Sequence, residues 1–280
     1  METDLAKHRS SLPQLGGDFF MTDGGIETTL ISLEGQALPH FAAFPLLQTA
    51  DGRSVLRKYF RTYAELARRF HIGLVLESAT WRANPDWGER LGYGTEALAE
   101  ANMRAVSLIE EIRSEYETPE TPIVISGCVG PRLDGYVADR AMSDKDAEDY
   151  HRPQIETFAE TAADVVTAIT MSYAAEAVGL VRAAKQADMP VVISFTVETD
   201  GRLPSGQSLE DEIKQVDDAT SNYPAYFMIN CAHPSHFDEV VGGGGPWVER
   251  IRGLRANASR RSHAEMDEVE LTRFRGQVSA

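Results

Sequence analysis

Tyr226-Phe227-Met228-Ile229-Asn230-Cys231-Ala232-His233-Pro234 is the stretch whose reading decides the fold. Its first four residues are apolar without alternation, which suits a strand covered on both faces in a parallel sheet. Cys231 stands where that strand opens into a loop. In a barrel of parallel strands this position faces the mouth, where a thiol can hold a metal ion or act as a nucleophile.

Working outward, similar runs recur along the chain. Phe19-Phe20-Met21-Thr22, Ile72 to Glu77, Ile123 to Ser126, Val165 to Ile169 and Val191 to Phe195 are strand candidates, and Gly253 to Asn257 is a weaker seventh. Helix-period segments lie between them. Val55, Tyr59, Tyr63, Leu66 and Phe70 share one face at spacings of three and four; so do Ala105, Ile109, Ile112 and Tyr116. Ile155, Phe158 and Ala162 form another such set, and Leu209, Ile213 and Val216 another. Ser208 with Asp211 predicts a capping box, and Pro122 and Pro190 stop helices just before strands. The acidic stretch Ser143 to Asp149 reads as a solvated loop and helix start.

Repeated βα units of this kind build a (β/α)8 barrel or a doubly wound sheet. No GxGxxG or P-loop follows the first strand, so the barrel is favoured. The expected fold is therefore α/β, of (β/α)8 TIM-barrel type but incomplete, with seven recognisable strands. We expect one barrel domain over 1–280 with irregular ends at 1–17 and 258–280. In the polar tail, Val269, Leu271, Phe274 and Val278 are too sparse for a buried eighth strand. Such a barrel is either cut short or closed by a partner, and a homo-oligomer stays open.

A formal charge of −16 over 280 residues excludes a nucleic-acid partner, which needs clustered Lys and Arg, and disfavours an anionic membrane surface. No apolar run approaches the roughly 20 residues of a membrane span. Two cysteines, Cys128 and Cys231, exclude a disulfide framework and suit a reducing, cytoplasmic compartment.

Several strand ends carry motifs. Asp23-Gly24-Gly25 follows the first strand: glycine lets the backbone approach a ligand, and the carboxylate can receive an amino group. Read alone, the same triplet is an ordinary turn. Glu77-Ser78-Ala79-Thr80-Trp81-Arg82-Ala83-Asn84 follows the second, where Trp81 either walls a pocket or simply packs. Gly127-Cys128-Val129-Gly130-Pro131 follows the third, with Cys128 as a small buried residue. His233 and His236 form Cys-x-His-x-x-His with Cys231, a spacing that can hold a metal or leave two solvated histidines. Gly242-Gly243-Gly244-Gly245-Pro246 lacks basic neighbours and reads as a flexible loop rather than a phosphate cradle.

From about Phe20 to Ala264 these motifs resemble the homocysteine S-methyltransferase family. The resemblance implies a zinc site whose first ligand is Cys231, and an amino-acid pocket formed by Asp23, Gly24 and Gly25 and walled by Trp81. It implies methyl transfer to the thiol of homocysteine, forming methionine, from a donor the residues do not identify. Zinc would deprotonate the substrate thiol and make it a nucleophile. The family takes its other two zinc cysteines from a Gly-Gly-Cys-Cys-Gly stretch that has no counterpart here. A fourth-strand Glu-Thr pair of the family is replaced by Ile169-Thr170, removing a charge-assisted contact of roughly 1.5–3 kcal/mol. Two rival readings follow: a non-catalytic homologue that keeps the amino-acid pocket without the metal, and an unrelated barrel lyase or aldolase.

Overall fold

Seven strands run parallel and pair in chain order: β1 (Phe20–Thr22), β2 (Gly73–Glu77), β3 (Ile123–Val129), β4 (Val165–Met171), β5 (Val191–Phe195), β6 (Tyr226–Asn230) and β7 (Ile251–Arg255). Around them lie α1 (Ile26–Ser32), α2 (Ala50–Phe70), α3 (Pro85–Leu91), α4 (Thr95–Tyr116), α5 (Asp144–Ala159), α6 (Ala174–Gln186), α7 (Leu209–Thr220) and the short α8 (Asp238–Gly242). The result is a nearly closed TIM-type barrel with one unsealed seam, between β1 and β7. In this computed structural model residues 6–135 and 141–262 are described. Val269, Leu271, Phe274 and Val278 lie outside the described residues.

Local chemistry sets the helix starts. The side chains of Thr49, Asn84, Ser143 and Ser208 each accept a backbone N–H of the first turn, at α2, α3, α5 and α7. The expected capping pair is present, since Ser208 accepts from the Asp211 amide. Gly179 on α6 lets the helix lie against α5; a Cβ there would stand 2.4 Å from the Asp144 carbonyl oxygen.

Period-two side-chain alternation divides β2 to β6 between two cores. Leu74, Leu76, Ile123, Ile125, Val166 and Phe227 face outward into the helix layer. Val75, Val124, Val165, Val192, Tyr226 and Met228 fill the barrel interior, and Leu12 plugs its N-terminal end. The N-terminal segment is held there by Arg9, whose guanidinium donates to the carbonyls of Ala159, Thr161 and Ala163. Higher in the interior the residues become polar: Glu77, Ser126, Thr167, Ser194 and Asn230 are all buried. An apolar floor and a polar mouth thus follow from residue order along each strand.

Three expectations need correction. The seventh strand runs Ile251–Arg255, two residues earlier than Gly253 to Asn257, because Asn257 turns away. Its amide donates to the Ala232 carbonyl and its side chain to the Cys231 carbonyl. On α2 the buried face is Leu56, Tyr59, Phe60, Ala64 and Ala67, whereas Phe70 is 61% exposed and Leu66 37%. Both faces share the helical period, and the smaller alanines permit the closer packing against the sheet. Ala162 is buried but lies beyond the end of α5.

Candidate functional site

Asp23 follows β1 directly and is buried, at 3% exposure. Its Oδ1 accepts from Arg255 Nη2 at 2.7 Å and from the Glu77 amide at 3.4 Å, and its Oδ2 accepts from the Tyr59 hydroxyl at 3.3 Å. Tyr59 also donates to the Gly24 carbonyl at 2.7 Å, fixing the β1–α1 turn from α2. A Cβ on Gly24 would stand 2.5 Å from the Tyr63 hydroxyl, so the close approach at this glycine is to α2.

Glu77 and Arg255 are inward-facing ends of β2 and β7. Glu77 shares the phase of Val75, and Arg255 pairs in register with Asn230. Arg255 Nη2 lies 3.9 Å from Glu77 Oε1. Glu27, in the first turn of α1, completes a group of three buried carboxylates. Glu77 Oε2 and Glu27 Oε1 have no hydrogen-bond partner among the described residues.

Burial dominates the electrostatics. Desolvation pushes Asp23 up to about 7, against the opposing pull of Arg255. Glu27 is likewise pushed up to about 7 by burial, with Arg82 pulling the other way. Burial also raises Glu77, although Arg255 and hydrogen bonds from Ser126 and Thr167 offset part of the rise.

Trp81 is 9% exposed and donates from Nε1 to the Ile169 carbonyl at 3.2 Å. With Cys128, Ile169 and the edge of Phe41 it forms a small apolar cluster separate from the main cores. Arg82 stacks over Trp81 and Trp87, its guanidinium carbon 4.5 and 3.7 Å from the ring centroids. Cys128 is buried, and burial pushes its thiol up.

At the end of β4, Thr170 holds φ 69°, a left-handed conformation that strains a β-branched residue. Its amide donates to Asn230 Oδ1 at 3.0 Å, and Asn230 Nδ2 donates back to Thr170 Oγ1 at 2.9 Å. Ser194 donates to the same Asn230 oxygen at 2.6 Å. Asn230 thereby ties together the ends of β4, β5 and β6. Cys231, next in sequence, also has a left-handed backbone, with φ 55°.

Asp23 and Gly24 thus meet Glu77 and Arg255 at the mouth, while Trp81 lies in the apolar cluster between the ends of β2 and β4. Cys231 connects to the group through its amide, which donates to the Arg255 carbonyl at 3.1 Å. His233 binds Ser235 through Nδ1 and caps a single helical turn, and His236 Nε2 meets the Arg260 carbonyl. Neither cysteine forms a disulfide. Among the described residues no group of three or more His, Cys, Asp or Glu side chains could hold a metal ion. The donors present do not fit a zinc site of thiolates: Cys128 is committed to the apolar cluster, which leaves Cys231 as the one thiol at the mouth for such a site.

Sequence reasoning missed Glu77, Glu27 and Arg255 as site residues. For Glu77 a signal existed, since a carboxylate ending a continuous apolar run points inward on the phase of its valine.

Carboxylates and a guanidinium gather at the C-terminal mouth of a parallel β/α barrel of the TIM type, the end at which barrels of this class carry their sites. The chain belongs to the homocysteine S-methyltransferase family, which its residues 20–271 match. It is similar to crystal structures of the homocysteine methyltransferase MmuM from Escherichia coli. The metallated form gives a TM-score of 0.70 at 17% identity, covering 90% of this chain and 96% of that one. For the oxidized form the values are 0.69 and 17%, covering 97% and 100%. At this identity the likeness is one of fold. No curated protein sequence matches the chain. No helix among the described residues is long and apolar enough to cross a membrane.

Proposed function

We propose that this chain binds a thiol-bearing amino acid of the homocysteine type at the barrel mouth and that its reaction is methyl transfer to that thiol. The observation that carries the reading is the buried Asp23–Glu77 carboxylate pair, with Glu77 Oε2 unpartnered. A substrate ammonium has three donors to offer such a pair. The cluster of Trp81, Cys128 and Ile169 supplies an apolar wall for the substrate's sulfur-bearing chain. Transfer forms a sulfur–carbon bond, breaks the donor's bond to its methyl group and releases the thiol proton. Glu27, pushed up to about 7, is suited to take that proton from a thiol of pKa near 8.5. Methionine formation in a reducing, cytoplasmic setting agrees with the two cysteines outside any disulfide.

A second reading, a pocket that binds the amino acid without turning it over, is favoured by the single thiol at the β6 end. Two measurements separate them. Calorimetric titration with homocysteine is expected to give saturable binding that Asp23→Asn weakens at least tenfold. Absence of binding to the native chain overturns both readings. Methionine formation from homocysteine and a sulfonium donor, assayed with and without added zinc, then decides for transfer; binding without turnover leaves the second reading.

A further inference from the structure

The reading above accounts for the carboxylates but not for the guanidinium among them. Arg255 is only 15% exposed and reaches 2.7 Å from Asp23, across a seam that no backbone hydrogen bond among the described residues closes. Burying an arginine at a strand end requires compensation, and Asp23 and Glu77 supply it. The fork is nevertheless incompletely used: Arg255 Nε is buried and has no hydrogen-bond partner among the described residues. Beside it, Glu77 Oε2 and Glu27 Oε1 are buried acceptors with no hydrogen-bond partner among the described residues. The mouth therefore holds acceptors without a donor and a donor without an acceptor.

A ligand with an ammonium and a carboxylate on one carbon would satisfy both deficits. A simple amine would answer only the acceptors, and a simple acid only the guanidinium. Planar, bidentate recognition of a carboxylate is what an arginine fork does best. The Arg255 carbonyl also accepts from the Cys231 amide, so the backbone that carries this guanidinium is pinned to the end of β6. The chain's own residues thereby place a fixed cation between Asp23 and Glu77.

Resting on the amino-acid reading, we propose that Arg255 is the carboxylate-binding residue of this site. Its ion pair with Asp23 opens when an α-amino acid enters: Asp23 and Glu77 take the ammonium, and Arg255 takes the carboxylate. The site is then selective for the intact zwitterion, and the side chain bridging the seam is also the one that recognises substrate.

The test is a binding panel read by calorimetry. Homocysteine is compared with its decarboxylated counterpart, a mercaptopropylamine, and its deaminated counterpart, a mercaptobutyrate. In the native chain, loss of the carboxylate is expected to cost roughly tenfold or more in affinity. In Arg255→Gln the same change should cost little, and in Arg255→Lys, which keeps the charge but loses the fork, an intermediate amount. An equal carboxylate effect in the native chain and in Arg255→Gln overturns the assignment. Should Arg255→Gln fail to fold, equal affinity of the native chain for homocysteine and the mercaptopropylamine overturns it by itself. Homocysteine bound without carboxylate preference removes Arg255 alone and leaves the amino-acid pocket standing. No homocysteine binding removes both.

Discussion

The closed side of the barrel and its seam are made of similar residue types held in different ways. On the closed side β3 and β4 are seven-residue strands buried throughout, and α5 and α6 pack over them. At the seam β1 has three residues, all half-buried, and β7 alternates between half-buried and exposed. Leu254 is 55% exposed and Phe19 74%, both lining a cleft of about 740 Å³ with Phe20, Thr22 and Tyr226. Backbone hydrogen bonds close one side; at the other the described structure offers an ion pair between side chains. A barrel can therefore keep its mouth assembled without complete closure, provided that charge spans the gap.

The sharpest way to break this contrast is to remove an aromatic ring from each side. Phe158 on α5 is fully buried, and Phe158→Ala is expected to cost about 3–5 kcal/mol in denaturant unfolding. Phe19→Ala at the seam should fall within about 0.5 kcal/mol of the native chain. Equal losses would mean that the seam is packed in solution.

Next in size is the bridging ion pair. Arg255→Met leaves Asp23 and Glu77 buried without their cation and should cost about 3 kcal/mol, less whatever neutralisation of the carboxylates recovers. Asp23→Asn combined with it should restore part of the loss, because the uncompensated charge is then gone. Urea midpoints of the two single variants and the double variant measure that coupling.

The pH dependence of Asp23 follows from its raised pKa. The folded state holds this proton up to about 7, whereas the unfolded state releases it near 3.8. Its contribution therefore favours folding at low pH and is lost as pH rises between those values, with no further change above the folded pKa. Asp23→Asn cannot titrate, so relative to the native chain it should be more stable at pH about 8 than at pH about 5. Paired unfolding curves at the two values decide, and an unchanged difference would place the Asp23 pKa near its ordinary value.

Metal content should move less. After dialysis against a mild chelator we expect well under one zinc per chain, and Cys231→Ala should change it little, because a single thiol at that strand end lacks a ligand set. Zinc retained stoichiometrically and lost on Cys231→Ala would instead establish a metal site there. The smallest expected effect concerns association. If the apolar cleft drives self-association, Leu254→Lys should shift sedimentation toward monomer without changing the unfolding midpoint.

Five strands, β2 to β6, were legible as continuous apolar runs because burial on both faces leaves that mark whatever the partners are, and β1 was legible as such a run although it is only half-buried. Asp23-Gly24-Gly25 and Asn230-Cys231 were legible as strand ends for the same reason. The end of β7 was not, since it depends on where Asn257 finds acceptors, at Ala232 and Cys231. The buried face of α2 was also ambiguous, because helical periodicity gives a spacing and not an origin.

By itself, then, the sequence determined a parallel β/α barrel with chemistry at its C-terminal mouth. Hydrophobic periodicity and turn residues are local properties, written over a few residues at a time. Tertiary structure alone decided which charges share the mouth. Asp23 and Arg255 stand 232 positions apart, and neither residue type nor spacing announces that they meet. That pairing exists because seven strands curl until the last faces the first, and because two buried charges of opposite sign are far less costly together than apart.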